Sequence, residues 1–298
     1  MNKKYLIQAL ILNFSLSWAL ALVTKLLGIP FTGINAVVVG IFYMFIPAIS
    51  VIILSKFFWK IPLKNWGIKK PQNKIVLLAI LFPYLVAVLS LGVSLLFPGI
   101  KFQPQMEGMI AKLGANLPPE SLAAMKDQIS SLGSLLPLII FGQSILAGLT
   151  VNAIAALGEE YFWRGFLLKQ FAKFGWLKSS LIIGFIWGLW HAPLILQGHN
   201  YPQHPIAGVF MMIIWCILLS FPMIFFTVKT KSVFTAAWFH GILNASAGFG
   251  LLWISNASDL LVGVTGLSGF IALFILGLIL FVINQKSSHT VDSLLNEY

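Results

Sequence analysis

Two carboxylates stand side by side in Glu159-Glu160-Tyr161-Phe162-Trp163-Arg164, beside a long apolar stretch. The whole chain holds only eight acidic residues, so a neighbouring pair in such surroundings needs a reason. Hydrocarbon tolerates a buried carboxylate only when it is paired, protonated or in use. Arg164 follows Glu160 by four residues, the spacing at which helical side chains meet. One carboxylate is then held by the arginine and the other is left for chemistry. Two later apolar segments carry histidine: His191 in Trp187-Gly188-Leu189-Trp190-His191, and His240 with Asn244 in His240-Gly241-Ile242-Leu243-Asn244. His240 and Asn244 are four apart and share one helix face.

These residue types suit peptide hydrolysis, which needs a base to activate water and donors for the developing oxyanion. Glu159 can take a proton from water, and His191 can orient or share that water. His240 and Asn244 can donate to the tetrahedral intermediate. Glu160 and Arg164 suit a supporting role in the helix. Zinc is the alternative, with Glu159, His191 and His240 as three ligands and a fourth position open. The short-spaced His-Glu-x-x-His signature is absent, so no metal is assigned. Each residue alone has a structural explanation, a helix salt bridge or an interhelical hydrogen bond. The joint occurrence at one depth favours a site.

The elements that must position them are apolar helices. The 298 residues are 59% hydrophobic and 9% charged, with a mean hydropathy of +0.93. Soluble domains carry roughly a quarter charged residues. The composition therefore predicts an all-α polytopic membrane protein, a single integral domain over 1–298 with about eight transmembrane helices. Spans of about 20 residues fall at approximately 5–27, 33–55, 75–97, 134–160, 179–197, 207–228, 232–252 and 262–283. The first is longer than a signal-peptide core and reads as an uncleaved helix. The catalytic core is expected over about 134–252. The net charge of +11 is scattered between apolar runs and gives no nucleic-acid face. The single cysteine, Cys216, permits no internal disulfide.

Charge sets the orientation. Fifteen of the nineteen Lys and Arg fall on one side: Lys3, Lys4, Lys56, Lys60, Lys64, Lys69, Lys70, Lys74, Arg164, Lys169, Lys173, Lys178, Lys229, Lys231 and Lys286. Lys25, Lys101, Lys112 and Lys126 fall on the other. The bias places both termini in the cytoplasm. Counting the helix rise inward from that side puts Glu159 at roughly 15 Å, His191 at about 20 Å, His240 at about 13 Å and Asn244 at about 19 Å. One layer, reached from the cytoplasm, is the expectation.

Several features are expected to be structural. The outer loop 98–133 has helical spacing at Met106, Met109, Ile110 and Leu113, and again at Leu122, Met125, Ile129 and Leu132 after Pro118-Pro119-Glu120. It predicts two amphipathic helices on the membrane surface, acting as a packing cap. His199 and His204 read as incidental residues of a Pro-containing turn rather than a metal pair. Trp59, Trp66, Trp176 and Trp253 read as an interfacial belt. Trp163, Trp187, Trp190 and Trp238 surround the polar cluster. Gly188, Ala192, Gly241 and Ala245 allow close helix approach or leave room for substrate.

On these residues the chain resembles the CAAX-protease and bacteriocin-processing family of intramembrane proteases, also called Abi, which includes the type II CAAX prenyl endopeptidases. The family pattern is Glu-Glu-x-x-x-Arg, Phe-x-x-x-His and His-x-x-x-Asn. Glu159, Glu160 and Arg164 match the first motif, and His240 and Asn244 the third. His191 meets the second, with Trp187 in place of the usual Phe. The resemblance implies an endopeptidase opening to the cytoplasm, with Glu159 and His191 activating water and His240 and Asn244 forming the oxyanion hole. Such proteases have been described both as zinc-dependent and as metal-independent, and the resemblance leaves that open. It implies peptide or protein substrates, lipidated ones included, and membrane lipid as the surroundings. Eukaryotic members act on prenylated CAAX proteins, and prokaryotic members are linked to peptide maturation, bacteriocin immunity and signalling. Short loops and the charge bias suit a prokaryotic plasma membrane.

Two other classes compete. A catalytically silent scaffold of the same family would bind other membrane proteins, but the intact Glu159, His191, His240 and Asn244 set favours the enzyme. A transporter would use the polar layer as an ion site, but the paired broken half-helices of inverted repeats are not evident in the sequence. The orientation is testable at once. Reporter fusions at Tyr298 and within Lys101–Lys126 should label opposite membrane sides. Labelling on one side would remove the eight-span arrangement.

Overall fold

The computed structural model describes residues 2–104, 106, 110, 118–254 and 258–296. Long apolar runs become helices because hydrocarbon offers no partner to an unpaired backbone group. In chain order these are α1 (Lys3–Leu26), α2 (Gly33–Ile53), α3 (Ile75–Ser94), α4 (Pro119–Leu132), α5 (Leu136–Leu149) and α6 (Val151–Glu160). A π-helical segment, Tyr161–Leu167, carries α6 into α7 (Leu168–Phe171). Then come α8 (Gly175–Trp190), α9 (Ala192–Ile195), α10 (Pro205–Thr230), α11 (Val233–Ser246), α12 (Phe249–Leu252), α13 (Leu267–Gln285) and α14 (Val291–Leu295). The protein is an all-α polytopic membrane protein. Buried hydroxyls within the helices turn back onto carbonyls four residues earlier, as Thr227 does on Met223 and Ser246 on Ile242.

Five helices are long and apolar enough to cross a membrane: α1, α2 with its π-helical extension, α3, α10 and α13. A sixth span is counted if α4 and α5, bent by 100°, act as one. The other three expected spans, which carry the candidate residues, are each broken. The expected 134–160 span divides at Thr150, whose φ of −115° and ψ of −95° leave the helical region. The 179–197 span divides at His191, and the 232–252 span after Ser246. Pro193 lacks an N–H and cannot continue the ladder of α8. The Leu194 N–H bonds the His191 carbonyl, and the Trp190 carbonyl accepts the Tyr43 hydroxyl at 2.7 Å and the Trp18 indole at 3.3 Å instead. Its own indole donates to Ser17 at 2.8 Å. Helices α1 and α2 thus fix the break that presents His191.

Helix α8 packs along α10, and α11 packs on α3, α5 and α6. Backbone reaches backbone at two glycines. A Cβ on Gly188 would strike Ile213, and one on Gly241 would strike Gly148 and Ala153. Both serve helix approach rather than substrate space. Trp59, Trp66 and Trp176 are buried, their indoles bonded to Gln8, Ser55 and the Phe221 carbonyl. They fill the core instead of forming the expected belt. Of the expected outer amphipathic helices, the second is α4, with no buried residue. Met109 and Leu113 of the first lie outside the described residues.

The two ends of the bundle differ. At one, Val233 N–H donates to the Gly67 carbonyl, Asn73 to the Lys229 carbonyl, Asn2 to Gln170 and Trp176 N–H to Asp292. These contacts gather both chain ends and the lysine-rich loops. At the other, Phe31 meets His199 edge-on, Tyr201 donates to the Thr265 carbonyl, and Gln203 and His204 bond Asp259.

Candidate active site

Glu159 and Glu160 close α6 on successive residues, so their side chains diverge by about 100° around the helix. Their surroundings diverge accordingly. Glu160, fully buried, meets Arg164 at 3.0 Å and accepts from His240 Nδ1 at 2.8 Å. Arg164 is fully buried too. It donates to Ser220 at 3.1 Å and stacks its guanidinium 4.3 Å from the centre of the Trp187 ring. Arg164 is therefore an internal ion-pair partner rather than a loop charge, and removing it leaves the lysine bias intact. The contact between Glu160 and His240 had no signal in the sequence, because it joins residues 80 positions apart.

Glu159, 2% exposed, places Oε2 between two indoles. Trp187 Nε1 donates at 2.6 Å and Trp163 Nε1 at 3.2 Å. Its Oε1 has no hydrogen-bond partner among the described residues. His191 Nδ1 lies 2.9 Å from the Trp187 carbonyl. A carbonyl only accepts, so Nδ1 carries the hydrogen and Nε2 presents its lone pair. His240 Nδ1 faces a carboxylate and is a donor for the same reason. A donating Nε2 on His240 therefore needs the imidazolium form.

Glu159, His191, His240 and Asn244 line one cavity of about 290 Å³. Tyr43, Trp187, Trp190 and Trp215 wall it, and Phe31, His199, Asn200, Val264 and Thr265 line it from the loops. His199 is thus a cavity residue and not an incidental turn residue, while His204 is committed to Asp259 at 2.6 Å. The sequence signal for His199 was only its place eight residues beyond His191. The loop residues lining the cavity all belong to the end opposite the lysine-rich loops. Helix α8 stops at Trp190 and α11 at Ser246, which leaves His191 and Asn244 near that end of the bundle.

The Nδ1 contacts of His191 and His240 and the indoles on Glu159 Oε2 leave both Nε2 atoms and Glu159 Oε1 as the donors a zinc ion would need. Among the described residues, no three His, Cys, Asp or Glu side chains are placed to hold a metal ion.

The buried Glu160 makes a specific demand on stability. Glu160→Gln keeps the shape but leaves Arg164 charged and without its counter-ion. Breaking one partner of a buried pair costs about 3–5 kcal/mol. Thermal unfolding in detergent should show a clear fall in Tm, and Arg164→Gln made together with it should recover part of the loss. An unchanged Tm in the single variant would contradict the buried pair.

Residues 141–246, which include all four cavity-lining candidates, match the family described as type II CAAX prenyl endopeptidase Rce1-like. CAAX prenyl protease 2 of Methanococcus maripaludis is 31% identical over 114 residues, covering 35% of this chain and 41% of that protein. The chain thus spans about two fifths of the relative's length. Through this segment, the one that builds the cavity, the chain is related to the CAAX protease family.

Proposed function

We propose that the protein is an intramembrane endopeptidase that hydrolyses peptide bonds of membrane-associated or lipidated substrates with water activated by Glu159 and His191. The observation that carries this reading is the shared cavity, in which Glu159 keeps one carboxylate oxygen unpartnered beside His191, His240 and Asn244. A water between Glu159 Oε1 and His191 Nε2 has two acceptors, which leaves its oxygen lone pair to attack the scissile carbonyl carbon. Its proton passes to Glu159. The oxyanion is met by the Asn244 amide and the His240 imidazolium. Collapse breaks the C–N bond, and Glu159 returns the proton to the leaving amine. Glu160 and Arg164 touch no reacting atom in this scheme and hold His240. The membrane-facing core over about 134–252 would be the catalytic unit, and the segment 98–133 its outer cap.

Trp187 has a positioning role in this scheme. Its indole N–H fixes Glu159 Oε2, which the Phe of the family pattern cannot do. Trp187→Phe should lower kcat roughly tenfold with little change in KM, as loss of one hydrogen bond to a charged group predicts. An equal rate would leave Trp187 as wall only.

The decisive pair of variants is Glu159→Gln and Asn244→Ala, assayed as purified protein against wild type on peptide substrates. Glu159→Gln keeps shape and loses the base, so cleavage should fall by orders of magnitude while binding persists. Asn244→Ala removes one oxyanion donor, with a loss of roughly 10²–10³-fold in kcat. Wild-type cleavage by Glu159→Gln would replace this mechanism with another nucleophile. Binding of membrane proteins without any cleavage would leave the scaffold.

A further inference from the structure

We propose that the cavity admits its substrate from the non-cytoplasmic face of the membrane. Its natural substrate would then be an apolar peptide segment displayed on that face, and not a tail held in the cytoplasm. The proposal rests on the protease reading for what the cavity does, and on independent geometry for which way it opens.

Three observations converge. First, the loop residues that line the cavity are Phe31, His199, Asn200, Val264 and Thr265. They come from three connections joined to one another by the Phe31–His199 contact and the Tyr201–Thr265 hydrogen bond. No lining residue belongs to the lysine-rich loops. Second, the path toward the lysine-rich end is filled. Glu160 and Arg164 are fully buried beneath Glu159, and Phe162, Trp163 and Phe166 behind them are fully buried as well. Phe166 stacks on Trp59 with ring centres 5.3 Å apart and meets Trp66 at 5.2 Å. A peptide entering from that end would have to part an ion pair and this aromatic layer. Third, the lysine-rich end holds the charges that the positive-inside rule keeps in the cytoplasm. The end whose loops line the cavity therefore faces away from it.

The walls indicate what enters. Met44, Trp215, Leu243 and Val264 offer apolar surface, while Asn244 is exposed within the same cavity. A peptide with an apolar side chain near its scissile bond fits such walls, with its carbonyl directed to Asn244. A volume of about 290 Å³ takes a few residues and not a folded domain. The peptide must reach the site extended, from a secreted or membrane-tethered chain on the outer face.

Cysteine accessibility tests the opening without relying on catalysis. Thr32→Cys marks the rim loop, where the side chain is exposed and makes no cap bond. Ala247→Cys marks the cavity, and Lys64→Cys the lysine-rich end. Native Cys216 is fully buried and serves as the unreactive control. A small charged methanethiosulfonate reagent is applied to intact cells and to inverted vesicles. Thr32→Cys and Ala247→Cys should react in cells, and Lys64→Cys only in inverted vesicles. Reaction of Ala247→Cys only from the side where Lys64→Cys reacts would overturn the proposal. So would failure of Ala247→Cys to react from either side while Thr32→Cys reacts. A second arm offers apolar peptides to right-side-out and inverted vesicles, each with wild-type and Glu159→Gln protein. Cleavage should occur in right-side-out vesicles and depend on Glu159. Cleavage in inverted vesicles alone would overturn the proposal. The expected labelling without cleavage of any peptide would overturn the protease reading and leave the assigned opening standing.

Discussion

The buried carboxylate of Glu160 is the interaction on which the rest of the site depends. It lies at the end of α6 and binds Arg164 one turn on and His240 of α11. Arg164 extends the contact to Ser220 of α10 and to the face of Trp187 on α8. Four helices are thus tied at one point. Removing two charges from water costs several kcal/mol per ion, which a single pair seldom recovers. Here the cost is offset by a second hydrogen bond to the carboxylate, a hydroxyl for the guanidinium and a tryptophan face for its charge. The return is positional, because His240 can sit in only one place while its Nδ1 is held.

That knot also separates two chemically identical side chains. Successive helix positions point in different directions, and the environment does the remainder. Glu160 is surrounded by donors that hold both its charge and its orientation. Glu159 meets two indole N–H groups on one oxygen and open cavity on the other. The helix then widens to a π-helical turn over Tyr161–Leu167, a deviation often found where function requires a shifted side chain. The widening lies between Glu160 and α7, at the segment that supplies both Trp163 and Arg164.

Much of this was legible in sequence. The hydropathy runs fix the apolar helices α1, α2, α3, α10 and α13, and the polar residues within the other runs mark the site. Spacing of four paired Glu160 with Arg164 and placed Asn244 with His240. What spacing cannot show is contact between distant segments. The bond from Glu160 to His240, the place of His199 in the cavity and the indole donors on Glu159 all arise from packing. The interfacial tryptophans misled for the same reason. Position near a helix end suggested a belt, but the indoles of Trp59, Trp66 and Trp176 found their partners inside. The broken spans were hidden by hydropathy, which averages over a window and does not register a single residue such as Thr150 or Pro193.

The breaks themselves account for why the site sits where it does. Irregular backbone at membrane depth is tolerated only when it is buried in protein or lines a cavity. The regular helical hydrogen-bond ladder is interrupted at His191 and again after Ser246, and both His191 and Ala247 line the same cavity. The freed groups are met locally, as Tyr43 and Trp18 meet the Trp190 carbonyl. Continuous helices in these two positions would carry His191 and Asn244 deep within a sealed bundle. Ending them early brings the same residues to the floor of a cavity roofed by three loops. The fold thus gains access to the polar layer by shortening helices rather than by parting them, and the intact ion pair and aromatic layer beneath can remain closed toward the lysine-rich end.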